Sequence, residues 1–176
     1  GSPGHSRGPG GGAGARAARS LAGVTGFANT NEAFHATASS PDGGGALLAM
    51  TRAIHEAGLT AQDIDHVNVH GTGTLNNDSS EGKALMRLFS DAVPPFTSTK
   101  SFTGHTLGAA GAVEAIYSAL ALMEGAHFAT LRFAEPLDEA PLTPVLRSST
   151  GHRIRHVLSN SFGFGGNNTA LVLSAP

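Results

Sequence analysis

Apolar and polar positions follow two different periods along this chain, and the switches between them mark its elements. The stretch Leu21-Ala22-Gly23-Val24-Thr25-Gly26-Phe27 predicts a short buried strand. From Gly43 to Gly58 the period lengthens to that of a helix. Leu47, Met50, Ile54 and Ala57 fall on one face, and Gly58 suits the position just past the last turn. Ile64 to His70 alternates again, with Asp65, Val67 and Val69 on one face of a strand. The turn GTGT follows, then a helix whose start reads as a capping box from Asp78 to Glu81 and which carries Leu85, Leu88 and Phe89. Pro94-Pro95 stops it, and Phe96 to Thr99 predicts a short strand. A polar turn over 100–107 leads into a long helix from about Gly108 to Gly125, on which Val113, Ile116, Tyr117, Leu120 and Met123 recur. Two strands, His156–Ser161 and Thr169–Ser174, close the chain, and their link Phe162 to Asn168 is too glycine-rich for a strand interior. Strands alternating with helices and ending in a hairpin predict an α/β layered architecture with a mixed sheet packed between helices.

Composition narrows this picture. With 176 residues the chain fits one domain or half of a larger one. Residues 1–20 are glycine-rich without apolar periodicity and predict a flexible leader, so order is expected over 21–176. The formal net charge of −2 offers no general attraction to nucleic acid or an anionic membrane. No apolar run reaches the roughly 18 residues of a membrane span and no signal-peptide core is evident, which predicts a soluble, cytoplasmic protein. Cysteine is absent, excluding disulfides, thiolate metal sites and a Cys nucleophile on this chain.

Three segments can carry chemistry. His70 in VNVHGTGT stands at the end of a strand, where α/β sheets build sites, with Thr72 and Thr74 adding hydroxyls beside it. His66 and His70 share a strand face, but no carboxylate sits at zincin spacing, so the pair does not read as a metal centre. The second segment, Lys100 to His105 before LGAAG, places a cation and an imidazole ahead of a helix N-terminus, where both favour nearby negative charge. Its glycines lack the order of a dinucleotide fingerprint. The third is Asn160-Ser161-Phe162-Gly163-Phe164-Gly165-Gly166-Asn167, where glycines flanking Phe164 let a backbone N–H and a mobile ring approach a reacting centre.

The ordered succession VNVHGTGT…ND..E, STKSFTGHTLGAAGAVEAI and SNSFGFGGNN resembles the C-terminal half of the elongating β-ketoacyl-acyl carrier protein synthases, the ketosynthases of type II fatty-acid and polyketide pathways. The resemblance implies the C-terminal half of a thiolase-like αβαβα fold over about 21–176. It implies that His70 and His105 are the two active-site histidines, that Lys100 is an electrostatic lysine, and that Glu81 is the carboxylate associated with it. Thr72 and Thr74 match threonines that contact the phosphopantetheine arm of acyl carrier protein, and Phe164 matches a gating phenylalanine. No bound cofactor or metal is implied beyond that carried arm.

The family's reaction is a decarboxylative condensation on a Cys thioester, and the family's Cys lies in an N-terminal half that this chain does not contain. A Cys-bearing half or partner subunit, acyl carrier protein and a dimer or heterodimer are therefore expected, the association face being assigned to Leu47, Ile54, Val113 and Leu120. The family also contains non-catalytic chain-length factors that shape the acyl tunnel; these usually lose the histidines. A free-standing carrier-binding module is a third reading, weakened by the large apolar face that half a thiolase fold exposes.

Overall fold

The computed structural model describes residues 20–176; the leader assigned to 1–20 lies, but for Ser20, outside the described residues. Five strands form one mixed sheet: β1 (Gly23–Asn31), β2 (His66–Asn68), β3 (Phe96–Thr97), β4 (His156–Gly163) and β5 (Asn167–Ser174), in the spatial order β1-β5-β4-β2-β3. β5 runs antiparallel to both its neighbours, while β4, β2 and β3 are mutually parallel. The helices are α1 (Gly44–Glu56), α2 (Leu75–Phe89), the single turn α3 (Lys100–Thr103) and α4 (Ala110–Glu124). The C-terminal ends of β1 to β4 thus point to one edge of the sheet, and the segments after β2, β3 and β4 are the three that the sequence singled out.

Helix α1 packs as its periodicity predicts. Met50 and Ile54 are buried with Val67, Leu158 and Val172, and burying each such side chain contributes about 1.5–3 kcal/mol. Gly58 takes φ 71°, the left-handed conformation expected just past a helix end. On the opposite sheet face Val157, Leu173 and Ile154 gather around Ala121 and Leu122 of α4. The predicted layered α/β arrangement, with the sheet between helices, is what forms.

Four expectations need correction. β1 is an edge strand rather than a buried one. Gly26 and Ala28 face α1, while Val24 and Phe27 lie exposed on the other face. α2 begins at Leu75 with Thr74 at its N-cap, so Asp78 and Glu81 do not open it. β4 runs on to Gly163, and the hairpin link shrinks to Phe164–Gly166. Most consequential is α4, whose buried residues are Ala110, Glu114, Ser118, Ala121 and Leu122. Its apolar stripe turns outward, with Ile116 62% exposed and Leu120 and Met123 also exposed. Of the assigned association face, Ile54 is therefore internal and Leu47 packs against the same core, whereas Leu120 is free.

The continuous helical run Leu107–Glu124 is 18 residues long with mean hydropathy 1.3, enough by length and composition to cross a membrane, contrary to the expectation that no such stretch exists. Of its two acids, Glu124 ends the run and Glu114 is buried against the sheet and ion-paired with Lys100.

Candidate active site

His70 follows β2 directly, and its backbone is clamped from beneath. The His70 and Gly71 amides donate to the two carboxylate oxygens of Glu81, each at 2.9 Å. Asn160 of β4, wholly buried, adds a donor to Glu81 Oε1 at 3.0 Å. Burial raises the Glu81 pKa, opposed chiefly by the Gly71 amide and Asn160. Glu81 is thus a bracket for the strand end. It reaches back eleven residues because α2 starts at once after the turn and points its first inward side chains at β2.

Lys100 lies buried in the first position of α3. Its ammonium donates to the His70 carbonyl at 2.6 Å, contacts His70 Nδ1 at 3.2 Å, and is ion-paired with Glu114 of α4. The carboxylate paired with Lys100 is therefore Glu114, not Glu81 as the resemblance implied. Glu114 also accepts from Ser161 Oγ at 3.2 Å. An ammonium can only donate, so His70 Nδ1 is an acceptor and the ring proton sits on Nε2. Burial, then the neighbouring Lys100 and His105, push the His70 pKa down to about 3, so the ring is neutral near pH 7.

His105 arrives by a different route. Beyond Gly104 the chain turns so that Leu107 takes φ 51°, and its amide donates to His105 Nδ1 at 3.2 Å. That bond again leaves the proton on Nε2. The His70 and His105 rings meet edge to face, centroids 5.3 Å apart. The ring of Phe162 lies 5.7 Å from that of His70, and Phe164, two residues on, is 76% exposed at the hairpin tip. Gly165 holds φ 75° there, and its amide donates to the Ala36 carbonyl at 2.8 Å. Thr72 and Thr74 share a hydrogen bond of 2.8 Å on the turn leaving His70. A cavity of about 510 Å³ opens behind this turn, walled by Thr72, Lys100, Ser101, Leu131 and Phe133 among others.

The arrangement brings His70, Lys100, Glu81 and His105 into one contiguous network, with the two threonines and Phe164 on the segments that leave it. It offers two imidazole Nε2–H donors above a buried cation, which suits an oxygen that gains negative charge. Sequence reasoning missed Glu114 and Leu107, and gave Asn160, within its third segment, no role of its own. For Glu114 a signal existed: it is the lone charged residue between Leu107 and Met123. Among the described residues no group of three or more His, Cys, Asp and Glu side chains is placed to hold a metal ion.

Comparison with known proteins places the sequence in a family and matches the fold. Residues 21–134 match the family described as beta-ketoacyl synthase, C-terminal domain. The 3-oxoacyl-[acyl-carrier-protein] synthase 2 of Rhizobium meliloti (strain 1021) is 46% identical over 161 residues, 90% of this chain and 38% of that protein. A mitochondrial 3-oxoacyl-[acyl-carrier-protein] synthase of Arabidopsis thaliana is 42% identical over 166 residues, 91% of this chain and 36% of the relative. Among solved structures, the ishigamide ketosynthase/chain length factor superposes with a TM-score of 0.88 at 36% identity, over 94% of this chain and 40% of that one. The chain thus spans well under half the length of these relatives. The chain belongs to the beta-ketoacyl synthase family, whose C-terminal domain it carries.

Proposed function

We propose that this chain is the C-terminal portion of a β-ketoacyl-acyl carrier protein synthase, catalysing decarboxylative condensation of a malonyl-carrier thioester with an acyl group held on a Cys outside the chain. The observation that carries the reading is the matched tautomer of two histidines. Each Nδ1 is occupied by a donor, Lys100 Nζ for His70 and the Leu107 amide for His105, so each Nε2–H is free to donate. In the reaction the bond from the α-carbon to the carboxylate breaks, carbon dioxide leaves, and the electron pair is held as a thioester enolate. Both Nε2–H groups donate to that enolate oxygen, and each such donor is worth about 3 kcal/mol of barrier. The α-carbon then attacks the acyl thioester and expels the Cys thiolate. Lys100, locked to Glu114, keeps His70 neutral and oriented, and Glu81 fixes the backbone from which it projects.

Thr72 and Thr74 hold the phosphopantetheine arm in this scheme, and Phe164 gates the acyl pocket and offers its N–H to the second oxyanion. The Cys-bearing half covers the apolar side chains that stay exposed, Val24 and Phe27 of β1 and Ile116, Leu120 and Met123 of α4. The working enzyme is a soluble dimer or heterodimer of the cytoplasm, served by acyl carrier protein, and binds no cofactor of its own.

The test is reconstitution with a Cys-bearing N-terminal half. His105→Ala should cut carbon dioxide release from malonyl-carrier protein by about 10² or more while acyl transfer to the Cys persists. Decarboxylation at the unsubstituted rate would remove the assigned role and favour a chain-length-factor subunit.

A further inference from the structure

Far from His70, at the other end of β2, three histidines from three segments meet. His66 opens β2 and is 2% exposed, His127 follows α4 and is 8% exposed, and His152 lies on the turn before β4. His66 Nδ1 and His127 Nδ1 are 3.0 Å apart, and the His127 and His152 ring centroids are 4.4 Å apart. His152 Nε2 is tied to Ser149 Oγ at 2.8 Å, and the His127 and Ser149 backbones exchange two hydrogen bonds. None of these residues belongs to the site described above.

We propose that the His66–His127 pair, with the His152 ring packed on His127, forms a proton-sensitive lock that fastens the crossing segment 125–152 to β2 and, through it, braces the Lys100 turn. Two ring nitrogens 3.0 Å apart need one N–H and one bare nitrogen, so one of His66 Nδ1 and His127 Nδ1 donates and the other accepts. A proton on the accepting Nδ1 sets two N–H groups against each other and ends the bond. Burial, then the neighbouring His127, depresses the His66 pKa to about 3, and burial lowers that of His127 as well. Asp65, at the start of β2, is the carboxylate that favours the charged form of His127. Its own oxygen is held by the amides of Arg155 and His156 at 2.7 and 3.1 Å. Besides Asp65, the charged residues within three positions of these histidines are Asp63, Glu124, Arg153 and Arg155.

What the lock holds matters to the site. Beyond His127, the Phe128 carbonyl accepts from Thr97 Oγ1, and Thr130 Oγ1 accepts from the Ser98 amide at 3.1 Å. The Leu131 amide donates to Ser101 Oγ at 3.0 Å, and Arg132 to the Ser101 carbonyl at 3.2 Å. Ser98 and Ser101 flank Lys100, so freeing the segment removes the outer support of the turn that carries it.

The sign follows from linkage. A histidine whose folded pKa is depressed contributes stability that is whole above its unfolded pKa of about 6.5 and is lost as pH falls toward the folded value. Opening of the lock should therefore grow below about pH 6.5, by more than tenfold and up to roughly a hundredfold per pH unit when two protons are taken up. Hydrogen exchange of the full chain, corrected for intrinsic rates, should show this steep loss of protection for the backbone over 126–132 and 148–152, with the amides around Ser101 following. The double variant His66→Gln/His127→Gln should be nearly flat over the same range. Should that variant fail to fold, ring-nitrogen NMR of the unsubstituted protein decides: His66 must still be neutral at about pH 5. Protection that does not change with pH, a His66 midpoint near its ordinary value, or micromolar zinc displacing the shared proton and stabilising the fold would each overturn the lock.

Discussion

Breaking the Lys100–Glu114 pair tests the electrostatic core of the site. The two side chains are 6% and 2% exposed, so neither charge has water to fall back on. Lys100→Met leaves the Glu114 carboxylate with one neutral donor, Ser161 Oγ at 3.2 Å, and stranding a buried charge in this way costs about 3–5 kcal/mol. Glu114→Gln leaves the ammonium its two acceptors on His70, at 2.6 and 3.2 Å, so its cost should be nearer 2 kcal/mol. The double variant carries neither charge and should lose less than the sum, with a coupling of about 2–3 kcal/mol. Urea unfolding of the four proteins at neutral pH, at unchanged m-value, gives that coupling directly. Decarboxylation in the reconstituted enzyme adds a second readout. Lys100→Met frees His70 Nδ1 to carry the proton, so the rate should fall by about tenfold or more even where folding is preserved. Single costs that add within about 0.5 kcal/mol would refute the pair as the element that sets the site's charge.

Two further substitutions probe the flanking pieces. Glu81→Gln turns one of two amide acceptors into a donor facing an N–H, so one backbone amide loses its partner. The expected cost is about 1–3 kcal/mol, read by thermal unfolding, with decarboxylation falling further than stability; an unchanged melting temperature would remove the bracket role. Gly165→Val places a β-branched side chain at φ 75° with its nearest neighbour, Asn167 Nδ2, 3.5 Å away. It should cost about 1–2 kcal/mol locally and slow condensation several-fold without unfolding the chain, measured by circular dichroism beside turnover. Global unfolding would show the hairpin tip to be part of the core rather than a gate.

The elements that the sequence disclosed are those whose burial is apolar. Met50 and Ile54 announce the inner face of α1 because hydrophobic spacing and packing coincide there. α4 misleads for the opposite reason. It turns Glu114 and Ser118 inward, where Lys100 pairs with the Glu114 carboxylate and the Glu114 carbonyl accepts from Ser118 Oγ and Asn68 Nδ2, and leaves Ile116 outside. Periodicity reads where apolar residues lie, not which face the chain's own sheet will take. The histidines and Lys100 were legible from their motifs. The reach of Glu81 to two amides was not, because it depends on how soon α2 starts after the turn.

Leu107 also bears on how this protein can be improved by design. A non-glycine residue at φ 51° stores backbone strain of about 1 kcal/mol, and its side chain is 77% exposed, so a stability-guided redesign would replace it with glycine or asparagine. That exchange relaxes the one conformation aiming an amide at His105 Nδ1. The proton would then be free to settle on either ring nitrogen, and a sturdier protein would have lost half of its preset donors. Thermostabilisation of this domain should therefore spare Leu107 when it relaxes non-glycine residues at positive φ.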